Sequence, residues 1–346
     1  MGVFTTTVVG GTTLLSAGLV FFRRRMSRNW IQVPPGLTKP LRHNEAIIIT
    51  GGNCGLGFEA AKDLAGRIGE GKVILACRDH ENGESAASAI RESSGNSNVE
   101  CMKLDLASPE SVRQFAVDLS KRSEDSGEQL NIHTLICNAG VWVPMEHKRK
   151  TEEGYEIHFG VNHLGHFRLF QSILPIMSSS QSVDKRIIFV SSSLLKSGKI
   201  DMQKLRDGRI EEVNADEKKK KRSFAPTGYC DSKLMNALTC RQLALELQPG
   251  SNIATYAICP GFCKSNLSRS VDVPIFVKGI MRLFQRTSAQ GAQNIVHATM
   301  EEKDKLINGA LYQDGKIEDG TTSVLEVVGV DVQKQLWDLS MELSNK

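Results

Sequence analysis

An α/β fold with a doubly wound parallel sheet is what this sequence predicts, on three observations. Short apolar runs alternate with helical patterns from Glu45 onward. The turn Thr50-Gly51-Gly52-Asn53-Cys54-Gly55-Leu56-Gly57 joins the first run to the first helix. The runs themselves are apolar along their length, as strands covered on both faces are.

The elements follow in order. Ala46 to Thr50 is a short strand ending in the glycine turn, and Phe58 to Ile68 has helical periodicity. Lys72 to Cys77 reads as the second strand, with a helix over Asn82 to Glu92 behind it. Val99 to Leu104 is the third strand. Ser108-Pro109-Glu110 then opens a helix with a cap, a proline and an acid in the favoured order, and the pattern continues to Arg122. Ile132 to Cys137, Arg186 to Val190 and Ile253 to Cys259 supply three more strands, with helices between them. Right-handed crossovers bring the strand ends to one edge, with a ligand beside them, which is the Rossmann arrangement.

With 346 residues and 40% hydrophobic content, the chain can bury a substantial core. The net charge of +4 is small, and much of the visible basicity sits in two runs, Arg23-Arg24-Arg25 and Lys218 to Arg222. That distribution argues against nucleic acid as a partner, which calls for a broad basic face with stacking aromatics. Eight cysteines are scattered without a C-x-x-C pair, so they read as reduced thiols in a cytosol-facing domain. No grouping points to a metal; even the closest pair, Cys259 and Cys263, has no adjacent histidine.

The first 44 residues contain no Asp or Glu. Within them Val3 to Phe22 is a run of twenty uncharged residues, enough for a helix of about 30 Å. Arg23, Arg24, Arg25 and Arg28 follow at once, so the positive-inside tendency keeps the main domain in the cytosol. Residues 1–28 are therefore read as a membrane anchor or targeting segment, with mitochondrial import as the alternative destination. Residues 29–44, with Pro34-Pro35-Gly36 and Pro40, read as an extended linker, and residues 45–346 as a single folded domain. Two further segments stand out. Lys196 to Pro226, carrying the second basic run, reads as a solvated insertion. Val273 to Phe284 carries an apolar stripe that either joins the core, covers a lipophilic pocket or rests on a membrane.

The candidate site begins at the glycine turn. Gly51, Gly55 and Gly57 allow a tight turn, a close backbone approach to a pyrophosphate and close helix packing, and Asn53 and Leu56 lie within the same turn. A ribose-reading residue is expected about 20 residues further on, where the sequence is Leu75-Ala76-Cys77-Arg78-Asp79. Cys77 leaves the strand end neutral and Arg78 can pair with a 2′-phosphate, so NADP is predicted over NAD. Asp79 is the competing signal unless it caps the next helix. Asp105 follows the third strand, where it either reaches the adenine edge or starts a turn. Tyr229 and Lys233 share a helix face at i and i+4, where the ammonium is expected to lower the phenol's pKa. His163 and His166 have no third ligand and read as packing or surface residues.

Taken together, these motifs resemble the short-chain dehydrogenases/reductases over about Glu45 to Tyr312. Thr50-Gly51-x-x-x-Gly55-x-Gly57 is similar to that family's cofactor turn, Asn138-Ala139-Gly140 to its stabilising turn, and Asn162 to its helix asparagine. Ser192, with Ser193 as fallback, matches its catalytic serine, and Tyr229-x-x-x-Lys233 its active pair. Pro260-Gly261 followed by Ser265 resembles the turn over the nicotinamide. Ala76-Cys77-Arg78-Asp79, Asn162-His163-Leu164-Gly165-His166-Phe167 and the N-terminal segment look most like the membrane-bound retinol dehydrogenases. The resemblance implies hydride transfer between NADP and a lipophilic alcohol or carbonyl, a retinoid first and a fatty aldehyde or steroid next. It assigns proton exchange to Tyr229, oxygen binding to Ser192, ribose binding and pKa tuning to Lys233, and a water-mediated link to Asn162. It also implies attachment to the endoplasmic reticulum, and it leaves the oligomeric state open, with a homodimer among the options. The chain departs from the pattern at Cys137, at Phe189 and in the 37-residue interval between Ser192 and Tyr229. A non-catalytic NADP-binding scaffold on a membrane is the competing class; it predicts loss of a catalytic group, and none is lost.

Overall fold

A computed structural model describes residues 30–125, 127–144, 147, 149–207, 225–248, 250–264 and 285–345. The elements are β1 (Glu45–Thr50), α1 (Gly55–Ala65), β2 (Lys72–Cys77), α2 (His80–Ser94), β3 (Val99–Lys103), α3 (Pro109–Asp125) and β4 (Asn131–Cys137). A π-helical turn (Phe159–Gly165) leads into α4 (His166–Ser179), and β5 (Lys185–Val190) is followed by a 3-10 turn (Ser193–Ser197) and α5 (Met202–Arg206). Then come α6 (Thr227–Glu246), β6 (Ile253–Ile258), α7 (Ser288–Met300), β7 (Leu311–Gln313), β8 (Lys316–Ile317), α8 (Asp319–Val328) and α9 (Val330–Ser344).

The eight strands form one sheet in the order β3-β2-β1-β4-β5-β6-β7-β8, parallel except where β8 turns back on β7. Alternation along β1 divides the core in two. Ala46 and Ile48 face one apolar cluster with Phe167, Leu234 and Trp337, while Ile47 and Ile49 face the other with Leu64, Ile90 and Ile295. Every residue of β1 is buried, so the strand has no polar face to display in its sequence. The reversal of strand order falls between β1 and β4, and the ligand crevice of an open parallel sheet lies outside the strand ends there.

Several boundaries differ from the sequence expectation, each for a local reason. α1 begins at Gly55 rather than Phe58, because Gly51 (φ +64°) and Gly55 (φ +60°) reverse the chain within the turn itself. β7 and β8 were not predicted; at three and two residues they are too short to show a periodic signal. The span after Lys196 is not wholly irregular, since α5 packs Met202 and Leu205, with Ile200 just before it, against the core.

The linker is also not a free connector. Arg67 is buried and donates to the carbonyls of Pro34 (2.6 Å), Leu37 (2.9 Å) and Val33 (3.2 Å), while it ion-pairs with Asp63. Val33 N donates to Gln293 Oε1 at 2.9 Å, Leu41 N donates to Ile68 O at 2.9 Å, and Lys39 ion-pairs with Asp184. The proline-rich segment thus has its carbonyls satisfied by the domain and lies along it. Among the described residues no helix is long and apolar enough to cross a membrane. The anchor expected over residues 1–28, the basic run Lys218 to Arg222, Ser265 and the stripe Val273 to Phe284 lie outside the described residues.

Candidate active site

The glycine turn is held from below by a closed network. Asn138 N and Ala139 N both donate to Thr50 Oγ1 at 2.9 Å. Thr50 Oγ1 lies 2.9 Å from His166 Nε2, and His166 Nδ1 lies 3.0 Å from the Asn162 carbonyl. A carbonyl only accepts, so Nδ1 carries the proton and Nε2 accepts from Thr50. Burial holds His166 down at about 4, which keeps that neutral tautomer. Asn138 Nδ2 donates to Thr50 O at 2.8 Å. A Cβ on Gly57 would come within 2.6 Å of Asn138 Nδ2, so Gly57 serves the close packing of α1 on this network.

A cavity of about 540 Å3 opens above the turn. Gly51, Asn53, Gly55 and Leu56 line one end, and a Cβ on Gly55 would meet nothing within 4 Å. The open N-terminus of α1, with no acidic residue in its first turn, therefore faces free space and suits an anion. Arg78 and Asp79 line the same end, but Asp79 is the N-cap of α2: Asn82 N donates to its Oδ1 at 3.0 Å and Asn82 Nδ2 to its Oδ2 at 2.5 Å. Those bonds lower its pKa and leave Arg78 as the charged group free to turn inward. Cys77 is buried, with its thiol held by the Gly52 and Asn53 amides and Cys101. Asp105 starts a turn, accepting from Ala107 N at 2.9 Å, and it also lines the cavity. These residues fit a dinucleotide.

The other end of the cavity is lined by Asn138, Ala139, Gly140, Ser192, Tyr229, Lys233, Pro260 and Gly261. Ser192 is preferred over Ser193 by placement, since Ser193 is exposed and bonds toward Cys259. Lys233 donates to Val190 O at 2.8 Å and its Nζ lies 5.5 Å from the centre of the Tyr229 ring. The Asn162 side chain accepts from Val141 N (2.7 Å) and donates to Val141 O (3.1 Å) and Ser232 Oγ (3.1 Å). Its observed bonds thus pin the loop after β4. The π-helical turn carries Asn162 close to the sheet because Gly165 sits directly against the backbone of Leu106.

The expected lowering of the Tyr229 pKa does not hold. Among the protein's own groups, burial dominates and pushes the phenol up, with Ser192 the one hydrogen-bonding partner pulling it down. Burial also holds Lys233 down to about 8. Both shifts disfavour charge in the same dry pocket.

Several residues beside the phenol were not predicted. Trp142 packs on Tyr229 with ring centres 4.5 Å apart and the ring planes tilted by 48°. His158 meets the phenol ring edge-on, with ring centres 6.2 Å apart. Val143 N donates to His158 Nε2 at 2.9 Å, so His158 Nδ1 carries the proton and donates to Glu156 Oε1 at 2.6 Å. Their sequence signal is slight, because a Glu-x-His triplet gains meaning only once Val143, fifteen residues upstream, folds back on it. His163 is buried too, with Nε2 2.8 Å from Ser340 Oγ of α9, so both histidines pack and neither is a surface residue. A second cavity of about 630 Å3 adjoins the first, sharing Val143, Arg149 and Ile157.

Residues 45–203 match the family described as short chain dehydrogenase. The chain is 36% identical to retinol dehydrogenase 12 of Homo sapiens over 323 residues, covering 93% of this chain and 90% of that one. It is 34% identical to retinol dehydrogenase 11 of Homo sapiens, covering 86% and 85%. An uncharacterised protein from Mycobacterium paratuberculosis has a similar structure, with a TM-score of 0.63, 26% identity and coverage of 91% and 98%. On the family match and the identity to these relatives over most of its length, the chain belongs to the short-chain dehydrogenase/reductase family of oxidoreductases.

Proposed function

We propose that this protein is an NADP-dependent oxidoreductase that interconverts a lipophilic alcohol, retinol-like in character, and its aldehyde or ketone. The observation that carries the reading is a single one: Tyr229, Ser192 and Lys233 line the same cavity as the glycine turn and Arg78. The relatives' names, retinol dehydrogenases 11 and 12, support the substrate class. So does the apolar lining beside the phenol, formed by Trp142, Val143, Ile157, Val161, Leu194 and Phe262. The adjoining cavity gives an elongated tail room to extend.

Bound NADP(H) supplies or accepts the hydride. The chain's own residues do the rest. Arg78 would hold the 2′-phosphate, the N-terminus of α1 the pyrophosphate, and Lys233 the nicotinamide ribose. Tyr229 holds a proton at its phenol oxygen and delivers it to the substrate oxygen in reduction, or takes it in oxidation. Ser192 bonds the same oxygen and steadies its developing charge. Trp142 and the apolar wall exclude water from the reacting centre. In this reading the domain faces the cytosol on an endoplasmic reticulum membrane.

The test is oxidation of NADPH by the purified chain with all-trans-retinal and a panel of other lipophilic carbonyls. Wild type is expected to turn over, and Tyr229→Phe to lose on the order of 10²–10⁴ in kcat, the usual contribution of a positioned proton donor. Silence of the wild type across the panel removes the enzymatic reading.

A further inference from the structure

The second cavity, of about 630 Å3, continues from the catalytic one where Val143, Arg149 and Ile157 line both. With a dinucleotide in the first cavity, this volume is left to the part of a substrate beyond its reacting carbon. The wall is apolar at Ile200, Met202, Leu205 and Met235, which suits a hydrocarbon stem. Ile200, Met202 and Leu205 are fixed there because they pack on the core. The three carboxylates that line the cavity are all engaged. Glu156 accepts from His158 Nδ1 at 2.6 Å and from the N–H groups of His158 and Phe159. Asp201 caps α5, accepting from Lys204 N at 3.1 Å, and faces the Lys204 ammonium at 3.6 Å. Asp231 accepts from Lys199 N at 2.7 Å.

Two cations on the rim are not balanced in this way. Arg149 is exposed and serves the fold through its backbone, its carbonyl accepting from Ile157 N at 3.1 Å. Lys199 is exposed as well, and its bond to Asp231 is made by the backbone N–H. Among the described residues neither the guanidinium of Arg149 nor the ammonium of Lys199 has an ion-pair or hydrogen-bond partner. Free cations at the mouth and apolar surface within suit a molecule divided the same way, with a buried stem and an anion that stays partly solvated. A carboxylate there pairs with a guanidinium without the full desolvation cost of a buried ion pair. The planar fork of Arg149 fits its two oxygens. A neutral tail fills the same space and gains nothing from either cation.

We infer that Arg149, assisted by Lys199, receives a carboxylate at the far end of the substrate, so that the substrate class is a lipophilic oxo-acid or hydroxy-acid whose reacting oxygen meets Tyr229. The inference rests on hydride transfer at Tyr229, and the test separates the two. The purified chain with NADPH is given a homologous series of ω-oxo carboxylic acids, each paired with its methyl ester, which has the same stem and no charge. At the best-fitting length the acid is expected to exceed its ester by on the order of tenfold in kcat/KM, expressed through KM, a value between that of an exposed ion pair and that of a buried charge-assisted bond. The advantage should shrink as salt is raised. Arg149→Gln keeps the backbone carbonyl that Ile157 uses; it should bring the acid down to its ester and leave the ester nearly unchanged. Arg149→Lys, which keeps the charge and loses the fork, should retain part of the advantage. Turnover of the esters or of all-trans-retinal with no advantage for the acid at any length, or an advantage that survives Arg149→Gln intact, overturns the carboxylate site alone. No turnover of acids, esters or retinal overturns hydride transfer and the carboxylate site with it.

Discussion

Arg78 and Asp79 are adjacent, both exposed, and opposite in what they would favour, yet their roles separate cleanly once Asp79 is seen capping α2. Replacing Arg78 by Gln should therefore weaken NADPH by about 1.5–3 kcal/mol, on the order of tenfold to a hundredfold in Kd, and leave NADH nearly unchanged. Titration of both cofactors against the variant measures this, and an equal loss for the two would show that Arg78 does not read the 2′-phosphate. Tyr229 and Lys233 make a pH prediction. The phenol is pushed up by burial, so it keeps its proton through neutral pH, while the Lys233 ammonium loses its proton as pH rises through about 8. Reduction is expected to be level below that value and to decline above it; oxidation, which needs the phenolate, should gain with pH. Profiles of kcat/KM in both directions check the pair. The effect on stability has its own sign. Lys233 ordinarily titrates near 10.5, so between about 8 and 10.5 the unfolded chain binds the extra proton and folding stability from this group rises with pH.

Among the elements, the segment after β4 and the start of the π-helical turn act together. Glu156 accepts from the backbone N–H of His158 (3.0 Å) and Phe159 (2.9 Å), orients His158 through Nδ1, and His158 then holds Val143 beside Trp142. The N-terminus of α6 closes on the pair, since a Cβ on Gly228 would lie 2.9 Å from Glu156 Oε2. His158→Ala removes the acceptor for Val143 N and frees the tryptophan wall. The expected result is a several-fold rise in KM for a bulky carbonyl, with NADPH affinity unchanged; steady-state kinetics and cofactor titration separate the two. Gly165→Ala tests the other support. Its Cβ would press on the backbone of Leu106, a contact that cannot rotate away, so a loss of about 1–3 kcal/mol in stability is expected from thermal or denaturant unfolding. These supports explain what the sequence could and could not disclose. Strands such as β2, with Val73 to Cys77 buried, announce themselves as apolar runs, and the glycine turn and Tyr229-x-x-x-Lys233 are local spacings. Trp142, His158 and His166 join the site through partners 15 to 116 residues away in sequence, which no window along the chain contains.

At the scale of the molecule, the C-terminal helix is locked to the site from behind. Ser340 donates to Leu336 O at 2.7 Å, so His163 donates its Nε2 proton to Ser340, and Trp337 packs on Phe167 with ring centres 5.0 Å apart. Ser340→Ala leaves a buried imidazole N–H without its acceptor, and a loss of about 1–3 kcal/mol is expected. A melting curve with and without NADPH would show whether the loss stays in stability or reaches the cofactor. The same view gives the linker a mechanical meaning. Its contacts lie in series along the chain: Ile31 on the β7–β8 turn, Val33 on Gln293, the Pro34 and Leu37 carbonyls on Arg67, Lys39 on Asp184 and Leu41 on Gly69. A pull on the N-terminus peels this seam one contact at a time, like a strip of tape lifted from its end. Strand β1 and the glycine turn behind it bear load only after the last contact has let go.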